Sequence, residues 1–163
     1  WYNVNMSKEE SIKIVENGLK KYGANVYDYR GTKFIGIKNP YSDNNMAITF
    51  GETEMTMEFT YQSARFAYGN EGDLITHAEK YLTGKLVSAE FFLGGKPLFG
   101  GSRESGGAKF KTTEEMLVWY TGGNEKIADN LRGFLKNDGV TLKIRSWDGS
   151  LDREISFGDD KKS

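Results

Sequence analysis

The sequence feature that most limits the fold is an alternating stretch near the C-terminus, VTLKIRSWDGSLDREISF, residues 140–157. It is interrupted by Asp148-Gly149, a dipeptide that favours a two-residue type I′ turn. With that turn, one face of the hairpin pairs apolar residues, namely Val140 with Phe157 and Leu142 with Ile155. The other face pairs Lys143 with Glu154 and Arg145 with Asp152, and places Trp147 opposite Ser150. We therefore predict an antiparallel hairpin, because a shift of one residue would bury Lys143 and Arg145.

Similar patterns predict strands elsewhere in the chain. Residues 25–30 and 33–38 form a second hairpin if Gly31-Thr32 adopts a type II′ turn, and Tyr27 then covers Gly36. We also expect strands at residues 1–6, 46–50, 53–61 and 86–92. In residues 53–61, Met55, Met57, Phe59 and Tyr61 point to one side and the acidic residues to the other.

Capping signals predict helices between these strands. Ser7 with Glu10, and Thr112 with Glu115, form S/T-x-x-E capping boxes, and Asn124 is placed to cap a further helix. The apolar stripe of that last helix comprises Ile127, Leu131, Phe134 and Leu135. A fourth helix is expected at about residues 73–83, where apolar residues recur with helical spacing.

Hairpins alternating with helices predict an α+β fold with a mainly antiparallel sheet and about four helices packed against it. The 163 residues suit one domain, which we expect at residues 1–158, followed by a disordered tail at 159–163. No apolar run reaches the roughly 18 residues that a membrane helix needs, so we expect no membrane association. No secretory leader is apparent in a chain that begins at Trp1.

Composition excludes several functional classes. Twenty-two basic and twenty-three acidic residues leave a net charge of −1, which argues against nucleic acid as the partner. The absence of cysteine removes disulfides, thiolate catalysis and cysteine-ligated zinc. His77 is the only histidine, which excludes paired-histidine metal sites, and we expect it to be a boundary or surface residue rather than a catalytic one.

The glycine-rich stretch FFLGGKPLFGGSRESGG, residues 91–107, suggests at first a phosphate-binding loop. A phosphate loop, however, leads directly into a helix, and here Lys96 is followed by Pro97 and another apolar run. We predict instead that Gly94-Gly95 is a hairpin turn and that residues 100–107 form a mobile surface connection. We expect no cofactor, no metal and no catalytic residues.

Charge is concentrated in the middle of the chain. Residues 39–79 contain seven acidic residues and one base, Arg65, giving −6, whereas the remainder carries +5. Glu52, Glu54 and Glu58 share a strand face in this segment, which suggests an acidic face for a basic partner. Carboxylates two residues apart also have a spacing that inverting glycosidases use, but a solvated strand face gives the same pattern.

Trp147 is the second candidate contact, together with the neighbouring Arg145. A large aromatic residue is unexpected on the charged face of the last hairpin. It either packs beneath a neighbouring element or contacts a partner from an exposed position.

Residues 52–101 resemble small bacterial immunity proteins of polymorphic or contact-dependent toxin systems. The resemblance rests on element order: an acidic-faced strand, FTYQSARFAY, the helix EGDLITHAEKYL, the strand KLVSAEFF and a Gly-Gly turn. It implies a cytoplasmic, non-enzymatic protein that binds one toxin domain, often through acidic residues when the toxin is a basic nuclease.

Two functions of different classes follow from the sequence. The first is a protein-binding domain of the immunity type. The alternative is a small ligand-binding or hydrolytic α+β domain, whose polar site would have to use Glu54, Glu58, Tyr61 or His77.

Overall fold

The computed structural model describes residues 7–158. Within that range the chain forms four α-helices and two antiparallel sheets of five and four strands, so the predicted α+β class is confirmed. The strand expected at residues 1–6 and the disordered tail expected at residues 159–163 lie outside the described residues. The chain divides after Thr83 into two compact units, and the single domain at residues 1–158 stays a prediction.

The first unit is a five-stranded antiparallel meander with a helix at each end. Its elements are α1 (Lys8–Leu19), β1 (Asn25–Tyr29), β2 (Thr32–Ile37), β3 (Met46–Phe50), β4 (Glu54–Phe59), β5 (Gln62–Ala67) and α2 (Glu71–Leu82). The predicted capping box is confirmed, because the Ser7 side chain accepts from Glu10 N and the Glu10 carboxylate accepts from Ser7 N. Strands follow one another in the sheet in chain order.

Both helices of this unit lie on the same face of its sheet. The α1 stripe of Ile12, Val15 and Leu19 is buried, as expected from its spacing. From α2, Tyr81 packs on Phe59 of β4 with ring centroids 5.1 Å apart. These contacts bury the apolar side of the alternating strands and leave the other side uncovered.

Two details of the first sheet differ from the predictions. The first hairpin turns at Arg30 and Gly31, which both have positive φ (53° and 84°), so the turn is type I′ and the register differs by two residues. Residues 60 and 61 form a second tight turn, with Thr60 at φ 56°, and β5 follows where no strand was expected. Tyr61 is therefore 53% exposed at a turn and does not join the buried row.

The second unit packs two helices on a four-stranded sheet. Its elements are β6 (Leu86–Leu93), β7 (Lys96–Glu104), α3 (Thr113–Thr121), α4 (Glu125–Phe134), β8 (Val140–Arg145) and β9 (Arg153–Phe157), with strand order β7-β6-β8-β9. Phe91, Leu117, Leu131 and Leu142 belong to the core between sheet and helices. Thr112 and Asn124 cap the helices as predicted, but Ile127 is 50% exposed rather than part of the buried stripe.

The glycine-rich stretch is a hairpin, as predicted, with Gly94 and Gly95 at positive φ (58° and 80°). The expected mobile connection is wrong at residues 100–104, which continue β7 along β6.

The last hairpin has the predicted register, with Val140 opposite Phe157 and Lys143 opposite Glu154. Its turn is wider than the expected two-residue type I′ turn, because strand pairing stops at Ile144 and Arg153. Side chains hold the connection: Asp152 accepts from Ser146 N at 2.8 Å. Asp152 is therefore not the ion-pair partner of Arg145, which binds Glu154 instead.

No helix in the described part of the chain is long and apolar enough to cross a membrane.

Candidate functional site

The uncovered face of the first sheet is the candidate site, and we call it the open face. Strand register aligns its side chains in rows that run across the five strands. One row is Asn25, Gly36, Ala47, Glu58 and Ser63, and the next is Tyr27, Phe34, Thr49, Thr56 and Arg65. Tyr29 and Glu54 lie beyond the second row, at the ends of β1 and β4.

Aromatic residues occupy the β1–β2 side of the open face. Tyr27 and Phe34 are directly opposite one another, and their rings stack with centroids 5.4 Å apart. Tyr27 is 46% exposed and Tyr29 is 64% exposed. Exposed tyrosines are characteristic of protein interfaces, where one side chain supplies both apolar area and a polar tip.

Small residues form a depression beside these rings. It has a volume of about 390 Å³. Its lining comprises Tyr27, Phe34, Gly36, Ile37, Lys38, Asn45, Met46 and Ala47. Gly36 and Ala47 are neighbours in the first row. The Tyr27 ring covers Gly36, and the short side chain of Ala47 leaves the depression open beside the ring.

Acidic residues occupy the β3–β4 side. Glu58 is exposed and stands opposite Ala47, whereas Glu54 lies 3.6 Å from Arg65 in an ion pair. Glu52 is exposed in the connection between β3 and β4, not on the strand itself. Glu58 forms no ion pair within residues 7–158.

The acidic face is smaller than the charge count predicted. Three of the seven acidic residues of the −6 segment, Glu71, Asp73 and Glu79, belong to α2 on the opposite side of the sheet. Glu71 is buried, where its carboxylate accepts from Ser11 Oγ at 2.7 Å and from Gly69 N at 3.0 Å. Burial raises the pKa of Glu71, but these hydrogen bonds outweigh it and hold the pKa below its ordinary value.

The residues of the alternative hydrolytic site do not converge. Glu54 and Glu58 are on the open face, whereas His77 lies on α2 against Phe66 and Tyr81, with ring centroids 5.8 Å and 5.6 Å away. Burial lowers the pKa of His77, and the charge of Lys80 lowers it further. His77 is partly buried between these aromatic rings, as expected for a boundary residue.

Trp147 and Arg145 are held within the last hairpin. Trp147 is only 6% exposed, which agrees with the packing alternative and not with an exposed contact. Arg145 binds the Glu154 carboxylate, which also lies 3.8 Å from Lys143 Nζ. The hydrogen bond from Arg145 and the charge of Lys143 lower the pKa of Glu154.

Sequence reasoning missed an apolar groove in the second unit. It has a volume of about 650 Å³ and is lined by Gly106, Gly107, Lys109, Phe110, Glu114, Glu115, Val118 and Trp119. Trp119 packs on Phe110 and its indole N–H donates to Glu104 O at 2.7 Å. The sequence signal for this groove was Val118 next to Trp119 on a short predicted helix.

The part of the chain that the structure describes contains no group of three or more acidic or histidine residues placed to hold a metal ion. No family model, no curated protein and no solved structure matches this chain.

Proposed function

We propose that this chain is a non-enzymatic protein-binding domain, and that the open face of its first sheet contacts a basic partner protein. The observation that carries the proposal is the pairing of exposed aromatic residues with carboxylates on one uncovered sheet face. Tyr27 and Tyr29 supply apolar contact area, and Glu58 supplies a charge with no ion-pair partner in the described chain.

A sheet face of this kind needs an explanation when neither helix of its own unit covers it. The stacked Tyr27 and Phe34 rings lie beside a depression with an apolar floor, and such places are where interface anchors bind. An unpaired carboxylate near the anchor, here Glu58, steers a basic partner and raises its association rate. Together these features favour binding of a protein over binding of a small polar substrate.

The partner class comes from the resemblance of residues 52–101 to bacterial immunity proteins. We propose that the protein acts in the bacterial cytoplasm, where it binds a basic toxin domain and blocks it. Of the residues suggested by the sequence, Glu52, Glu54 and Glu58 remain candidates for this contact. Trp147, which is buried, and Arg145, which binds Glu154, belong to the second unit and are not part of the contact proposed here.

The experiment is an association assay with the product of the gene adjacent to that of this protein. Both proteins are purified, and the complex is detected by light scattering after size-exclusion chromatography. The proposal predicts a stable one-to-one complex that inhibits the toxic activity of that product. Absence of any complex with an active, folded gene product would contradict the immunity function.

A further inference from the structure

We propose that the depression beside Tyr27 and Phe34 is an arginine pocket, which takes one arginine side chain of the partner and presents Glu58 to its guanidinium group. This inference rests on the proposed function, since the arginine belongs to the protein bound by the open face. The proposal specifies that the partner contributes an arginine, and that this arginine binds beside Tyr27 and Phe34.

The floor of the pocket suits the aliphatic part of an arginine. Ala47 is next to Gly36 in one row, and because the Tyr27 ring covers Gly36, Ala47 forms the open part of the floor. The stacked rings of Tyr27 and Phe34 form one wall. Methylene groups laid on this floor lose contact with water, while the end of the side chain stays at the surface.

The charges around the pocket orient the bound arginine side chain. Glu58 stands directly opposite Ala47, about 5 Å away along the row. Lys38, which also lines the depression, follows Gly36 by two residues and lies just past the end of β2. A cationic group is therefore attracted to the Glu58 side and repelled from the Lys38 side.

Arginine fits this arrangement better than lysine. A guanidinium is planar, stacks on aromatic rings and can bind a carboxylate through two N–H groups, whereas an ammonium is compact and strongly hydrated. The same face already contains one guanidinium-carboxylate pair, Arg65 with Glu54 at 3.6 Å. Unlike Glu54, Glu58 has no arginine as an ion-pair partner within residues 7–158.

The test needs no knowledge of the partner. The full chain, labelled with ¹³C and ¹⁵N, is titrated with N-acetyl-arginine methylamide while the Ala47 methyl group and the Gly36 amide are followed by NMR. We expect saturable shifts at both groups. The citrulline analogue, which has the same shape without the charge, should cause no such shifts, and the lysine analogue should bind more weakly.

Variants of the two charged residues sharpen the test. Glu58→Gln should weaken arginine binding about two- to fivefold, the effect expected for an exposed charge pair, whereas Lys38→Gln should strengthen it. Glu9→Gln is the control, because Glu9 is an exposed carboxylate on α1, on the other side of the sheet. It should leave the titration unchanged.

The pocket is refuted if arginine leaves Ala47 unshifted, if citrulline binds as well as arginine, or if Glu58→Gln binds like the parent. That failure is distinct from failure of the proposed function. If the adjacent gene product still binds the open face while the arginine probe does not, only the arginine pocket is lost. If the probe binds but no partner complex forms, the pocket stands and the proposed function is lost.

Discussion

Tyr27 lies directly over Gly36: a Cβ atom built on Gly36 would come within 2.9 Å of Tyr27 Cε2. The two residues are on neighbouring strands and offset by one row, so the tyrosine ring covers the glycine diagonally. An aromatic ring over a strand glycine shields backbone that no side chain covers. The contact with Gly36 also fixes the position of the Tyr27 ring beside the depression of the open face.

Gly36→Ala should therefore displace the Tyr27 ring and narrow the pocket. The ring is at the exposed end of its side chain and can move, so we expect a stability change below about 1 kcal/mol. The measurement is the NMR shift of the Tyr27 ring protons, together with a thermal melt. Gly72→Ala, at a helical site where a Cβ meets nothing within 4 Å, is the control. Unchanged Tyr27 resonances in Gly36→Ala would disprove the close contact.

Ser11→Ala should destabilise the protein through Glu71. Ser11 Oγ donates to this buried carboxylate at 2.7 Å and thereby joins α1 to α2. Removal of the hydroxyl leaves a buried charge with one hydrogen bond fewer, which should cost about 1–3 kcal/mol of unfolding free energy. Urea unfolding measures the loss. Ser63→Ala, at an exposed position on β5, should change stability far less, and equal losses in both variants would argue against this role.

His77 should make the protein less stable in mild acid. Its pKa in the folded state is lowered from the ordinary 6.5 by burial and by Lys80. Between 6.5 and the lower folded value, the unfolded chain therefore binds more protons than the folded one, so stability falls as the pH drops through this window. Well above pH 6.5, where neither the folded nor the unfolded state binds a proton at His77, the effect is absent.

The pH dependence can be isolated with His77→Phe, since an aromatic ring fits between Phe66 and Tyr81. Unfolding free energies are compared at about pH 7.5 and about pH 5.5, a range in which histidine is the main side chain to titrate. The parent should lose more stability than the variant between these values. Equal losses would show that His77 does not contribute.

The register of the last hairpin could be predicted because apolar alternation and charge pairing agree in residues 140–157. Its turn could not, because the carboxylates of Asp148 and Asp152 bind backbone N–H groups of Ser150 and Ser146 and hold a wider connection. The predicted ion pair of Arg145 with Asp152 is wrong for a related reason. Glu154 lies on the same face as Asp152 and competes for the guanidinium.

In the first hairpin, a two-residue error in the predicted register does not change which residues share a face of the sheet. Arg30 adopts a positive φ that few residues other than glycine favour, so the sequence did not reveal a turn at Arg30-Gly31. The resulting register differs from the predicted one by two residues. Because strand side chains alternate with a period of two, Tyr27 and Gly36 still share a face, and their contact was foreseen.

The size of the acidic face could not be read from a count of charges. Residues 39–79 cross from the sheet to α2, and the helix carries Glu71, Asp73 and Glu79 to the other side. Burial of a carboxylate such as Glu71 depends on a hydrogen bond from Ser11, sixty residues away in the chain. A linear pattern contains no information on such a distant partner.

If the open face binds a basic protein, charge reversal on that face should have a specific effect on association. In Glu54→Lys/Glu58→Lys, association should slow, because exposed charges act mainly on the rate of encounter. The fold should change little, since exposed substitutions usually alter stability by less than about 0.5 kcal/mol. Glu9→Lys/Asp73→Lys is the matched control, because it changes the net charge equally at two exposed sites on α1 and α2, on the other side of the same sheet.

The most direct measurement is the association rate of the adjacent gene product with parent, double variant and control, at low and at moderate salt. The parent should associate fastest at low salt and slow as salt is added. The open-face variant should be slower and nearly insensitive to salt, and the control should stay close to the parent. An open-face variant that associates as fast as the parent at both salt levels would show that the open face does not bind a basic partner.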